Sequence, residues 1–60
     1  MDYKRFLIIA KGSAYETEVL IDLCSDFGYI SEEKHGEMID GYEEVIRMIS
    51  GLLRTINPQT

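Results

Sequence analysis

Phe27-Gly28-Tyr29-Ile30-Ser31 divides the chain into two amphipathic patterns of similar length. Glycine leaves a helix through the left-handed region at little cost, which marks Gly28 as the residue that ends the first pattern. Ser31 offers a side-chain oxygen to the unpaired amides of a new helix. Glu32 and Glu33 follow where the helix dipole favours negative charge. The stretch therefore predicts a tight bend between two antiparallel helices.

Upstream, the first helix is expected from about Asp2 to Phe27. Phe6, Ala10, Ser13, Thr17, Leu20, Cys24 and Phe27 step alternately by four and three, a sustained heptad seam. Leu7, Ala14 and Ile21 widen this stripe on one side. Ile9 and Leu23 widen it on the other, with Glu16 between them. Downstream, the second helix is expected from about Glu32 to Ile56. Its seam is His35, Met38, Tyr42, Val45, Ile49, Leu52 and Ile56, flanked by Ile39, Ile46 and Leu53 and by Met48 on the far side. Asn57-Pro58 is expected to stop it, because proline restricts the residue before it and cannot extend the hydrogen-bond ladder, and Gln59-Thr60 to fray.

Folding at Gly28 pairs positions whose numbers sum to about 59, small residues of the first helix mostly meeting large ones of the second. Cys24 then faces His35, and Thr17 faces Tyr42. In this register Leu7, Ala14 and Ile21, with Ile39, Ile46 and Leu53, are expected to remain uncovered in a lone hairpin and to form an oligomer interface. Gly12, Gly36, Gly41 and Gly51 fall inside expected helices, at a combined cost of roughly 3–4 kcal/mol relative to alanine. That is a large share of what so small a domain can hold. The expected fold is all-α: one domain over residues 1–60, an antiparallel helical hairpin forming half of a four-helix bundle by self-association, or docking on two helices of another chain.

The bulk properties agree. Sixty residues bury only a modest core. A single cysteine, Cys24, excludes an internal disulfide and suits a reducing cytoplasm. A net charge of −5 disfavours nucleic-acid binding by this segment. Phe6-Leu7-Ile8-Ile9-Ala10 is closed by Lys11, far short of the about 20 apolar residues of a membrane span.

Candidate chemistry is thin. Glu32-x-x-His35 has the spacing of a carboxylate-bridged metal bundle but lacks companion glutamates at its level, so a helix-start carboxylate and a partly exposed histidine are expected. Cys24 and His35 lack a third orienting group, so packing is the expected use. Glu16 interrupts an apolar flank at the level of Tyr42 and is expected to be partly buried and hydrogen-bonded to the Tyr42 hydroxyl, or paired with a base from a neighbouring subunit. Glu18, Asp22 and Asp26 form a ridge of like charge without a nearby base, read as a solvated face or a site for a basic partner. Glu43 and Arg47 form a favourable pair. No catalytic residue, cofactor or metal ligand is assigned.

Asp2-Tyr3, Arg5-Phe6-Leu7, Ile9-Ala10, Gly12-Ser13, Glu16, Glu18, Gly28-Tyr29-Ile30-Ser31-Glu32-Glu33, Arg47-Met48 and Gly51-Leu52 together resemble the bacterial four-helix bundle proteins of the 23S ribosomal RNA intervening-sequence type. The accessory variability proteins of diversity-generating retroelements are similar. Members of that family are longer, and this chain is expected to correspond to their last two helices. Lys34 stands where an acidic residue is common, which spoils a full capping box. Tyr15 and Asp22 stand where apolar or neutral residues are common. The resemblance implies a bacterial, self-associating helical module without enzymatic activity. It implies work in assembly or partner binding, or alternatively as an accessory factor for nucleic acid or a reverse transcriptase.

Overall fold

The computed structural model describes residues 2–56, in two helices: α1, Tyr3–Asp26, and α2, Glu32–Ile56. They pack against each other as an antiparallel hairpin, and no strand occurs among the described residues. The helix stop expected at Asn57-Pro58 and the fraying of Gln59-Thr60 lie outside the described residues.

Each helix end is closed by local chemistry. The Asp2 side chain accepts a hydrogen bond from the Lys4 amide at 3.2 Å, which satisfies one of the four unpaired amides of the first turn. At the other end the Gly28 amide donates to the Ser25 carbonyl at 3.0 Å and the Tyr29 amide to the Cys24 carbonyl at 2.8 Å. These are the two bonds of a Schellman motif, which needs a left-handed residue, and Gly28 supplies it with φ 78°. The Ser31 hydroxyl then accepts from the Lys34 amide at 3.1 Å and caps α2. Glu32 and Glu33 occupy its first turn and Arg54 its last, both favourable to the dipole.

The core between the helices is narrow. Leu7, Ala14, Ile21 and Ile46 are buried, and Ile39, Tyr42, Ile49 and Leu53 are half-buried. The expected register holds: Asp22 meets His35 and Glu18 meets Glu43, pairs whose numbers sum to 57 and 61. The expected rotations of the two helices do not. Leu7, Ala14, Ile21 and Ile46 are not left uncovered; they are the hairpin's own core. Phe6, Leu20 and Phe27 of the expected seam are instead 53%, 61% and 71% exposed. One residue along a helix is about 100° of rotation, so the seam and its flank exchange roles. The apolar arc of α1 is wider than one partner helix can cover, and the hairpin covers one margin of it. Ala14 at the centre of that margin lets the backbones approach.

The resulting body is long and thin, 40 × 18 × 15 Å, with a radius of gyration of 13.7 Å. A compact chain of this length has about 10 Å. Its accessible surface is 4624 Å², against about 4,000 Å² for a compact folded protein of its 6.9 kDa mass. Two helices in line contact leave too much surface in water.

Candidate interaction surface

The two sides of the hairpin differ in chemistry. In an antiparallel pair, equivalent rotations away from the contact line bring both helices to the same side. On one side α1 turns outward Phe6, Leu20 and Phe27, with half-buried Ala10, Thr17 and Cys24 at its margin. On that same side α2 turns outward Met38, Val45, Leu52 and Ile56, all between 37% and 46% exposed. The two heptad seams read in the sequence thus lie next to each other on an open face rather than against each other. Scattered apolar residues on a surface are ordinary, but these share one face along the length of the hairpin. Leu23, Met48 and Ile9 extend the patch at its outer edges. Phe27 and Tyr29 cap its hinge end with rings 6.2 Å apart.

The opposite side carries the polar contacts between the helices, with Ile8, Tyr15 and Val19 of α1 also exposed toward it. His35 Nε2 and Asp22 Oδ1 lie 2.7 Å apart, a hydrogen bond in which the ring N–H donates to the carboxylate and which becomes an ion pair when the ring is protonated. His35 therefore meets Asp22 rather than Cys24, and the acidic ridge has a base after all. Next along, the Glu18 and Glu43 carboxyls come together across the hairpin. Hydrogen bonding to Glu43, partial desolvation and the negative charges of Glu43 and Asp22, in that order, raise the Glu18 pKa above the ordinary carboxylate value. Two carboxylates at one place cannot both ionise without repulsion. Arg47 pairs with Glu44 at 2.6 Å. The expected Glu43–Arg47 pair is replaced. Lys34 holds Glu37 at 3.7 Å.

Other sequence expectations resolve as follows. Glu16 is exposed, Tyr42 is half-buried, and no hydrogen bond joins them among the described residues. The rotation of α1 moves Glu16 to the side away from α2, where its charge is solvated. Cys24 is a half-buried free thiol at the margin of the apolar face. Glu32 and His35 gather no third ligand, and no group of three or more metal-ligating side chains occurs among the described residues. No helix among them is long and apolar enough to cross a membrane. The Glu18–Glu43 contact was missed in the sequence. Its signal was available, since 18 and 43 fit the expected register, but only the observed rotation brings both to one edge.

Searches of curated proteins and of solved structures return no match. A family model does match, and it spans residues 1–51, both capped helix starts and the whole bend included. A helical hairpin with an intact bend and this match together place the chain in the family of the 23S rRNA-intervening sequence protein.

Proposed function

We propose that the protein is a non-enzymatic helical module that works by association. Two hairpins join open face to open face into a four-helix bundle, and the assembly serves as a scaffold or partner-binding element in a reducing cytoplasm. The observation that supports this reading is the apolar strip running from Phe6 and Ile56 at one end to Phe27 at the other. Its residues are at heptad spacing on both helices, the pattern of near-antiparallel bundle packing.

The magnitudes favour association. Burying a half-exposed Leu, Val, Phe or Met yields about 1 kcal/mol. About ten such side chains per hairpin act in the same direction, against the lost rigid-body freedom and side-chain ordering that association costs. Sedimentation equilibrium across a concentration series tests it. The expected result is an assembly at micromolar concentration that Leu20→Glu with Leu52→Glu dissociates while helical circular dichroism persists. A wild-type protein that stays a single 6.9 kDa species throughout would refute the reading.

A further inference from the structure

Charge is unevenly distributed along the hairpin. Residues 16–44, the hinge half, hold ten of the eleven acidic side chains and one of the six basic ones. The fold brings the remaining segments together at the open end, which holds Lys4, Arg5, Lys11, Arg47 and Arg54 with one acid, Asp2, while Arg47 pairs with Glu44 at the boundary. A chain with a net charge of −5 thus has an open half of formal charge +4.

Within that half, Lys11 of α1 and Ser50, Leu53 and Arg54 of α2 line a cleft of about 150 Å³. This is ample room for a tetrahedral oxyanion. No ion pair among the described residues involves Lys11 or Arg54. Two like charges lining one cleft without a counter-charge repel each other, and an anion between them removes that repulsion. The guanidinium offers a planar fork of donors, the ammonium a mobile point charge, and the serine hydroxyl a further donor. The helix dipoles do not decide the matter. The start of α1 and the end of α2 lie together, and their partial charges oppose each other.

We propose that this cleft is a binding site for a phosphate group, held by Arg54 and Lys11 with the Ser50 hydroxyl completing the shell. Lys11, Ser50 and Arg54 lie on the polar side, so the site stays open when the apolar face is covered. It does not depend on self-association.

The test is a nuclear magnetic resonance titration of the full chain with inorganic phosphate, against chloride at equal ionic strength. A second arm uses a dinucleotide to distinguish a free phosphate from a phosphodiester. Saturable shifts centred on residues 11, 50 and 54 with either ligand are expected, and Arg54→Gln or Lys11→Gln weakens the affinity at least about tenfold. Arg47→Gln, a base already paired with Glu44, leaves it within twofold. Shifts no larger than with chloride, or shifts equal around Lys34 at the hinge, overturn the site. So does an Arg54→Gln variant that loses self-association while keeping phosphate affinity, which would assign the cleft to the carboxylates of a second copy.

Discussion

Glu18 of α1 and Glu43 of α2 meet across the hairpin on the side away from the open apolar face. The contact raises the Glu18 pKa, so the folded chain binds the Glu18 proton more tightly than the unfolded chain does. Its stabilisation is fully present below the ordinary carboxylate pKa and is lost as pH rises through the raised one. Above the raised pKa the Glu18 charge is repelled by its acidic neighbours Glu43 and Asp22. Glu18→Gln is therefore expected to melt higher than wild type at pH 7 and to lose its advantage near pH 4. Thermal melts at the two values check this, and an identical Tm difference at both would contradict the raised pKa.

The bend makes a prediction of opposite sign at two glycines. Gly28 has φ 78°, and an L-residue there costs about 1–2 kcal/mol. Gly12 lies inside α1 with open space where a Cβ would sit. Alanine there is expected to stabilise by about 0.5–1 kcal/mol through helix propensity and a less flexible unfolded chain. Urea denaturation of Gly28→Ala and Gly12→Ala should move the midpoint in opposite directions. A shared direction would mean that the bend is not held by its glycine.

Ile21 and Ile46 test where the core lies. Each is about 5% exposed: 4% for Ile21 and 6% for Ile46. Ile21→Ala is expected to cost about 2–4 kcal/mol, toward the lower part of the range for buried isoleucine because the core is thin. Leu20→Ala, one position away and 61% exposed, is expected to lower the assembly constant while changing the dilute-solution helix content little. Comparable losses of helicity at both positions would place α1 in the rotation read from the sequence instead.

Ser31→Ala removes the hydroxyl that accepts the Lys34 amide. The expected cost is about 1 kcal/mol, felt first at the start of α2. Amide hydrogen exchange at Glu33 and Lys34 is the direct readout, and unchanged protection there would show the cap to be dispensable.

Much of this was legible in the chain itself. The bend was written in Gly28 and Ser31, because a left-handed exit and a side-chain cap are demands that few residues meet. The register followed from the bend, since a short connection leaves antiparallel helices little freedom to slide. The identity of the two apolar seams was legible too. What they face was not. An arc spanning Leu7 through Phe6 to Ile9 can present several directions to one partner, and periodicity alone fixes no single one. The same ambiguity placed Glu16 in the interior and separated Glu43 from Glu18.

By itself, then, the sequence determined two capped helices, their antiparallel order and the breadth of their apolar stripes, because these depend on residues close along the chain. Only the tertiary structure decided the rotation of each helix about its axis. That choice depends on how side chains from distant positions fit, with Ala14 and Ile46 inside and Phe6, Leu20 and Phe27 outside. From it come the open apolar side, the carboxyl pair and the gathering of Lys11 and Arg54 around one cleft.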